Sequence, residues 1–358
     1  MKIGILTLPI KSNYGGILQA YALLTVLRKH GHDAWLIRRR WNSENQSKLH
    51  KLFKQVYHAL IIRTFNKFIK QYIQPQTEII DTRYKAKALL SKGFDAFVVG
   101  SDQVWRMRHV YGADYNYFLD FTKNANVKRL AYAASFGVDY WDDTNPNKSI
   151  PIVKELLQKF DAISVREDSG IELCRNLFGV KAQHVLDPTL LLNKEDYINQ
   201  FSLNIKQGKY IAVYILDMTK EKQQLINSYS VMLNLPIKYI NRTKLSSLSQ
   251  RGFWKELCQP GIESWLGNIA NASFVITDSF HGTAFSINFE RQFISIANEK
   301  RGLDRFLSLL KQFGLENRLL KDTCTKPVEN KMINYDLVKE LLNNERSQST
   351  QYLINNLR

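Results

Sequence analysis

The sequence predicts an α/β protein made of two Rossmann-like domains. Short apolar runs rich in β-branched residues alternate with segments of helical periodicity along most of the 358 residues. A chain of this length is long for one domain and sufficient for two. A polar, lysine-rich segment at 193–208 separates the two alternating halves. We therefore expect domains at 1–195 and 196–330, followed by a helical tail at 331–358 that is expected to pack back on the first half.

The first half begins with a strand almost at residue 1. Its strands are short apolar or alternating runs, and they are expected at 3–8, 34–37, 94–100, 130–135, 162–165 and 184–187. Its helices have apolar residues every three or four positions, and they are expected at 17–29, 150–159 and 170–177. Gly31 ends the first helix, because glycine favours the left-handed conformation of a helix C-terminus.

The second half repeats this alternation. Its strands are expected at 210–216, 237–240, 274–277 and 293–297. Its helices are expected at 220–233, 261–270 and 284–289, and the tail has a helical pattern at 334–357. The strand–turn–helix–strand unit at 272–297 is the centre of the functional interpretation, because polar residues follow its buried strand. Ligands bind at the carboxyl ends of strands in open α/β sheets.

Three residues of that unit are candidates for a site. Ser279 and the preceding Asp278 each offer a helix N-cap, and the free N–H groups of a helix N-terminus suit an anion. His281 adds a group that titrates near neutral pH, with a structural histidine as the alternative. Gly282 lets the backbone come close to a ligand, or it only allows the turn.

Polar residues also follow two strands of the first half. Asn13, Tyr14, Gly15 and Gly16 end the turn after the first strand, where the glycine pair either admits a ligand or only makes a tight turn. Asp102 follows the third predicted strand and can accept a proton, hold a sugar hydroxyl or cap the next helix. The first βαβ unit lacks a GxGxxG motif, so no nucleotide cofactor is predicted.

Three arginines are candidates for binding an anion. Arg166 follows the strand at 162–165, where its guanidinium can bind a carboxylate or phosphate, and a salt bridge is the ordinary alternative. Arg301 and Arg305 follow the last predicted strand. They are four residues apart, so a helix there would place both on one face.

The formal charge of +17 favours an anionic partner, which could be nucleic acid, an acidic membrane surface or an acidic substrate. No nucleic-acid-binding motif is present, so nucleic acid is not predicted. Cys174, Cys258 and Cys324 are far apart in the sequence, and their spacing predicts neither a metal site nor a disulfide framework. No apolar run has membrane-spanning length and the N-terminus has no signal-peptide pattern, so a cytoplasmic location is predicted.

Residues 47–73 form a basic amphipathic stretch. Lysines such as Lys48 and Lys51 alternate there with apolar residues such as Leu49 and Phe53. This pattern is typical of segments that attach to an anionic membrane surface. The alternative is a solvated helix that packs on the protein core.

Several segments together resemble the polysaccharide pyruvyl transferase family. They follow the family's order over roughly residues 1–310, starting with the N-terminal strand and NYGGILQAYAL. The others are VVGSDQVW, YAASFG, FDAISVRE, HVLDPTLLL, TDSFHGTAFSI and the arginine-bearing segment after the last strand. The basic region at 40–75 and the tail after 320 depart from the family pattern.

The resemblance implies two Rossmann-like domains that face a cleft, as in the glycosyltransferase architecture called GT-B. It implies phosphoenolpyruvate as a co-substrate, with no bound cofactor and no metal. The acceptor would be a sugar of a cell-surface polysaccharide, either polymeric or as a lipid-linked precursor, and the product a pyruvate ketal on two hydroxyls. A lipid-linked acceptor would place the enzyme at the inner face of the cytoplasmic membrane.

The same resemblance assigns roles to the candidate residues. The second domain would bind the donor and the first the acceptor, with His281 as the acid–base catalyst. The residues expected to bind the donor are Arg166, Ser279, Gly282, Arg301 and Arg305. The residues expected to face the acceptor are Asn13, Tyr14, Gly15, Gly16 and Asp102.

Two other functions stay open at this point. A GT-B glycosyltransferase that uses a nucleotide sugar would share the architecture, although the GSDQVW and SFHG segments argue against it. A non-enzymatic membrane-surface protein of a polysaccharide assembly complex would depend on the basic stretch at 47–73 and would not need His281.

Overall fold

A computed structural model describes most of the chain. The described residues are 1–40, 63–110, 115–241, 260–298, 301–321, 323–328 and 331–358. The chain divides into two compact units. Among the described residues, unit 1 comprises 1–40, 69–191 and 343–358, and unit 2 comprises 63–68 and those between 192 and 342.

Unit 1 is built on a seven-stranded parallel sheet. Its strands are β1 (Lys2–Leu6), β2 (Asp33–Arg39), β3 (Gln76–Ile80), β4 (Ala96–Val99), β5 (Lys128–Ala134), β6 (Ala162–Val165) and β7 (Gln183–His184). They are arranged in the order β3-β2-β1-β4-β5-β6-β7. The chain runs from β1 towards one edge and from β4 towards the other, so the topological switch point lies between β1 and β4.

Helices connect these parallel strands, as a parallel sheet requires. They are α1 (Tyr14–Lys29), α2 (Arg63–Tyr72), α3 (Arg83–Ala88), α4 (Pro146–Leu157), α5 (Asp168–Phe178) and α6 (Pro188–Leu191). Short 3₁₀ helices lie at Leu89–Lys92, Met107–His109, Asn116–Phe118 and Asp120–Thr122. An aromatic group that includes Trp105, Phe118 and Phe136 packs in the core of unit 1, and the Trp105 and Phe118 rings stack with centroids 5.7 Å apart.

Unit 2 is built on a five-stranded parallel sheet. Its strands are β8 (Ile211–Tyr214), β9 (Ile237–Tyr239), β10 (Phe274–Thr277), β11 (Gln292–Ile296) and β12 (Leu319–Leu320), in the order β12-β11-β10-β8-β9. Its switch point lies between β8 and β10. The remaining helices are α7 (Lys194–Gln200), α8 (Lys220–Leu233), α9 (Ile262–Ala270), α10 (Phe280–Asn288), α11 (Asp304–Gln312) and α12 (Tyr335–Asn355), and a 3₁₀ helix lies at Glu316–Arg318.

The predicted fold class is confirmed, because both sheets are parallel and their strands alternate with helices. The strand expected at 184–187 is shorter than predicted, since β7 contains only Gln183–His184. The second half of α12 belongs to unit 1, where Ser349 Oγ accepts a hydrogen bond from the Leu186 backbone N–H at 3.0 Å.

The basic stretch at 47–73 is described only in part, since residues 41–62 lie outside the described residues. Its described part forms α2, in which Phe65 and Phe68 are buried. These two rings pack in the protein and are not available to a membrane. Across the described ranges, the helices are too short or too polar to span a membrane.

Candidate functional site

The first turn of α10 lies at the carboxyl end of β10. Ser279 is its N-cap, with extended backbone and an Oγ that accepts the Gly282 N–H at 3.4 Å, so the predicted N-cap is confirmed. Thr277 Oγ1 accepts the Ser279 N–H at 3.1 Å and donates to the Tyr214 carbonyl at 2.8 Å. These bonds fix the first turn of α10 at the switch point of unit 2, where ligands bind in open α/β sheets.

His281 is the second residue of α10 and is only 5 % exposed. Its ring meets the Phe280 ring edge-to-face, with centroids 5.1 Å apart. The guanidinium of Arg305, itself buried, lies 5.5 Å from the centre of the same Phe280 ring. Through Phe280 the structure brings together two residues that the sequence singled out, His281 and Arg305.

Gly282 has a packing role that neither sequence interpretation included. A Cβ atom at this position would lie 2.3 Å from Thr277 Oγ1 and 3.0 Å from Tyr214 Cδ1. The backbone of Gly282 is not in the left-handed region, so a turn does not require glycine here. Glycine instead permits the close approach of α10 to β10 and β8.

A buried carboxylate, which the sequence analysis missed as a site residue, organises this edge. Asp278 is fully buried and accepts the backbone N–H groups of Leu216 at 2.6 Å and Asp217 at 3.1 Å. It also accepts from Lys222 Nζ at 2.8 Å and from Asn298 Nδ2 at 3.2 Å. Asp278 therefore ties the segments that follow β8, β10 and β11 to one another.

Arg301 pairs with Asp217, and the Nη2–Oδ1 distance is 3.0 Å. This pairing holds the pKa of Asp217 at about 2, and Asn298 Nδ2 adds a hydrogen bond at 2.8 Å. Arg301 and Arg305 do not share a helix face, because α11 begins at Asp304 and the condition of a continuous helix is not met. Gly302 lies between them with φ +94°, which interrupts the helix. The two arginines are nevertheless neighbours, since Arg305 Nη2 donates to the Arg301 carbonyl.

Arg166 is buried at the carboxyl edge of unit 1, where Nη1 donates to Asp187 Oδ2 at 2.6 Å and Nη2 to Asp102 Oδ1 at 3.1 Å. Burial lowers the pKa of Arg166, but the carboxylates of Asp187, Asp102 and Glu167 outweigh it and raise the pKa above its ordinary value. These contacts are the ones expected if Arg166 forms a structural salt bridge. Binding of the donor by Arg166 stays a prediction.

Asp102 and Glu167 hold the loops of this edge. Asp102 has φ +79°, which is uncommon for a residue other than glycine, and its Oδ1 also accepts the Gln103 N–H at 3.0 Å. Glu167, which the sequence analysis did not select, accepts the backbone N–H groups of Phe136 at 2.6 Å and Gly137 at 3.0 Å. The sequence feature that could have identified Glu167 is its position directly after Arg166 at the end of a strand.

The loop predicted to face the acceptor forms the start of α1. Asn13 is the N-cap, and its Oδ1 accepts the Gly16 N–H at 3.3 Å. Tyr14, Gly15 and Gly16 are buried in the first turn and follow β1 at the switch point of unit 1. A Cβ at Gly16 would have its nearest neighbour 3.6 Å away, so packing does not require glycine there. The ligand-approach interpretation of Gly16 therefore stays a prediction.

The two edges differ in charge. In the part of unit 1 that the structure describes, Arg166 meets three carboxylates, those of Asp102, Glu167 and Asp187. Around the first turn of α10, the described cations include Lys222, Arg301 and Arg305, and the described carboxylates include Asp217 and Asp278. Carboxylates therefore outnumber cations in the group around Arg166, whereas cations outnumber carboxylates in this second group.

Residues 13–300 match the family model described as polysaccharide pyruvyl transferase, and this match covers most of the chain. The chain belongs to the polysaccharide pyruvyl transferase family. In this family member, the matched region contains every candidate residue except Arg301 and Arg305, which follow it directly. No curated protein matches the chain significantly in sequence.

Solved structures show the fold of this family member. UDP-GlcNAc 2-epimerase from Neisseria meningitidis, bound to UDP-GlcNAc, is 9 % identical, with a TM-score of 0.54 over 100 % of this chain and 99 % of that chain. The enzyme of that name from Methanocaldococcus jannaschii is 12 % identical, with a TM-score of 0.52 over 96 % and 92 %. E. coli heptosyltransferase WaaC with ADP is 12 % identical, with a TM-score of 0.42 over 96 % and 100 %. The likeness to the two epimerase structures shows that the fold is of the GT-B class.

Proposed function

We propose that this protein transfers the pyruvyl group of phosphoenolpyruvate to two hydroxyls of a sugar in a cell-surface polysaccharide or its lipid-linked precursor. The products are a pyruvate ketal and inorganic phosphate. The observation that carries the proposal is the family match over residues 13–300. The geometry supports it, because the candidate residues follow strands at the carboxyl edges of both sheets.

The reaction has a defined order of bond changes. Protonation of the methylene carbon of phosphoenolpyruvate makes the neighbouring carbon electrophilic. One sugar hydroxyl adds to that carbon and loses its proton, and the bond to the phosphate oxygen then breaks. The second hydroxyl adds to the same carbon and loses its proton, which completes the ketal. One proton ends on the new methyl group and the other on phosphate or solvent.

His281 is our candidate for the group that moves these protons. It lies in the first turn of α10 at the carboxyl end of β10, and imidazole exchanges protons near neutral pH. A buried position favours proton transfer over exchange with bulk water, and His281 is only 5 % exposed. These observations support an acid–base role.

The edge of unit 2 is suited to the donor, which carries a carboxylate and a phosphate. Arg301 and Arg305 supply guanidinium groups, and both are near the first turn of α10 through Asp217 and Phe280. The helix N-terminus capped by Ser279 adds backbone N–H groups and a partial positive charge. Gly282 contributes by letting this turn lie against the strands.

The carboxylates around Arg166 at the edge of unit 1 suit the acceptor, because carboxylates accept hydrogen bonds from sugar hydroxyls and repel an anionic donor. Asp102 is its candidate contact, and Arg166 holds that carboxylate in place. Asn13, Tyr14, Gly15 and Gly16 lie at the other side of the switch point of unit 1 and complete the proposed acceptor side.

The test is phosphate release from phosphoenolpyruvate with a panel of lipid-linked and aryl galactosides, glucosides and mannosides. Each product is weighed by mass spectrometry, and reactions without acceptor serve as controls. We expect phosphate release that depends on one acceptor, with a mass gain equal to pyruvate minus water. Phosphate release without acceptor, or no release with any acceptor and no thermal protection by phosphoenolpyruvate, would contradict the proposal.

A nucleotide-sugar glycosyltransferase is the second candidate, favoured by the likeness in fold to a structure bound to UDP-GlcNAc. The same panel distinguishes it when UDP-sugars replace phosphoenolpyruvate. Transfer of the sugar, with UDP as an inhibitor, would support this candidate. A lipid-linked acceptor would place the enzyme at the inner face of the cytoplasmic membrane, and co-sedimentation with anionic vesicles tests that location.

A further inference from the structure

Unit 2 contains a cavity of 610 Å³ that is separate from the strand-end site. Phe274 and Gln292 line it, and they are the first residues of β10 and β11. The cavity therefore lies at the amino ends of strands whose carboxyl ends carry the candidate active site. Its volume is within the range of about 300–1,000 Å³ that is typical of small-molecule sites.

The cavity has an apolar wall that reaches solvent. Phe274 and Met232 belong to this wall together with Met332. Met332 is 76 % exposed, although it lines the cavity. Methionine side chains adapt to ligands of different shape and are common at such surfaces. The wall suits the apolar part of a ligand that enters from solvent.

Arg318 also lines the cavity and is only 4 % exposed. Its Nη2 donates to the Lys331 carbonyl, while its Nε has no hydrogen-bond partner among the residues that the structure describes. Within the same described ranges, no carboxylate forms a salt bridge with Arg318. Burial lowers the pKa of this guanidinium, and the tyrosines nearby, Tyr335 and Tyr229, only partly offset that effect.

Among the described residues, the buried guanidinium of Arg318 has no carboxylate partner, and such burial is costly because the charge loses its hydration without gaining an opposite charge. An anion at Arg318 would remove this cost, and Lys331 lines the same cavity and adds a second cation. A purely structural role for Arg318, as a hydrogen-bond donor to the Lys331 carbonyl, would require neither the apolar wall nor a second cation at the cavity.

We propose that this cavity binds a small amphiphilic organic anion. Its carboxylate or phosphate head would pair with Arg318, and its apolar body would lie against Phe274, Met232 and Met332. This cavity is distinct from the proposed phosphoenolpyruvate site. An anion bound in the cavity would therefore neither take part in the transfer reaction nor occupy the donor site.

Isothermal titration calorimetry with octyl phosphate, octanoate, octanol and inorganic phosphate, all below micelle-forming concentrations, tests the proposal. We expect octyl phosphate or octanoate to bind at least about 10-fold more tightly than octanol, from the usual strength of a hydrogen bond to a charged group. Inorganic phosphate should bind more weakly than octyl phosphate, because it lacks the apolar body. Equal affinities for octyl phosphate and octanol would overturn the proposal.

Two variants locate the binding. Arg318→Met should weaken binding of the preferred anion at least about 10-fold and leave octanol unchanged, whereas the matched surface change Arg175→Met should have no effect. Met332→Asp alters an exposed side chain and should also weaken binding of the anion, because the new carboxylate repels it. This second variant keeps the test valid if Arg318→Met does not fold. Anion binding that neither variant weakens, or that phosphoenolpyruvate displaces, would overturn the assignment. No sugar acceptor is needed, so failure of the proposed transfer reaction would not affect this result.

Discussion

Lys222 Nζ lies 2.8 Å from Asp278 Oδ2, and the two side chains are 3 % and 0 % exposed. Lys222 belongs to the first turn of α8, which follows β8, and Asp278 follows β10. The ion pair therefore joins the ends of two neighbouring strands at the switch point of unit 2. Because Asp278 directly precedes the N-cap of α10, the pair also fixes the helix turn that carries His281.

Removing the cation from this pair is expected to destabilise the protein strongly. Lys222→Met would leave the Asp278 carboxylate buried without an opposite charge, and such changes cost about 3–5 kcal/mol. Urea denaturation measures the free energy of unfolding. The double variant Lys222→Met/Asp278→Asn removes both charges and should be less destabilised than the sum of the two single variants. Additive single effects would contradict the coupling.

Replacing His281 tests the proposed acid–base role. His281→Gln keeps a polar side chain but cannot exchange protons near neutral pH, so we expect kcat to fall about 10²–10⁴-fold. The matched change His30→Gln, at the exposed end of α1, should leave turnover unchanged. Thermal unfolding checks that both variants are folded. Full turnover in folded His281→Gln would show that another group transfers the proton.

Two glycines at equivalent places, each in the first turn of a helix after a strand, should respond differently to alanine. Gly282→Ala places a Cβ 2.3 Å from Thr277 Oγ1 and should cost about 1–3 kcal/mol of stability. Gly16→Ala meets its nearest neighbour at 3.6 Å and should be neutral or stabilising by up to about 1 kcal/mol. If a ligand approaches the backbone at Gly16, this stable variant will nevertheless show a raised KM for the sugar. Equal destabilisation of both variants would contradict the packing argument.

Arg166→Met separates the structural role of this arginine from donor binding. The change leaves Asp102, Asp187 and Glu167 together without their cation, so stability should fall by about 3–5 kcal/mol. Because Asp187 and Asp102 already bind the guanidinium, this geometry favours the salt-bridge alternative over the prediction of donor binding, and we expect the KM for phosphoenolpyruvate to stay unchanged. Steady-state kinetics measures it, with Arg175→Met as the surface control. A sharply raised KM in a folded variant would restore donor binding by Arg166.

The order of elements and the ligand edge could be predicted from the sequence, because buried parallel strands appear as apolar runs followed by polar residues. The sequence identified Asp278 and Ser279 as possible N-caps, and the structure shows that Ser279 is the one used. The strands β3 and β12 and the helices α3, α6, α7 and α11 were not predicted. They have only two to nine residues each, and so short a segment contains few repeats of an apolar pattern.

Contacts between distant segments could not be predicted. A lysine near a helix start is ordinarily solvated, and only the fold reveals that Lys222 meets Asp278. The distance between α10 and Thr277, which makes glycine necessary at 282, depends on three-dimensional packing. Arg301 and Arg305 have helical spacing, but the left-handed Gly302 between them overrides it.

The pairing of Asp217 with Arg301 predicts a specific dependence of stability on pH. This pairing lowers the pKa of Asp217 in the folded protein from 3.8 to about 2. A lowered pKa means that the folded state binds the proton less readily than the unfolded state, so the contribution is fully present above about pH 4. It is lost as the pH falls from about 4 to about 2. Both side chains are more than 40 % exposed, so solvent reduces the size of the effect.

Comparing Asp217→Asn with the unchanged protein isolates this contribution. The difference in the free energy of unfolding should be constant from about pH 5 to pH 7 and should decrease below about pH 4. Added salt should reduce the difference above pH 4, since the pair is partly exposed. Asp336→Asn, at an exposed position in the first turn of α12, is the matched control, and its pH dependence should not follow the same window. A difference for Asp217→Asn that does not change with pH would show that hydrogen bonding, and not the charge of Asp217, holds Arg301 beside α10.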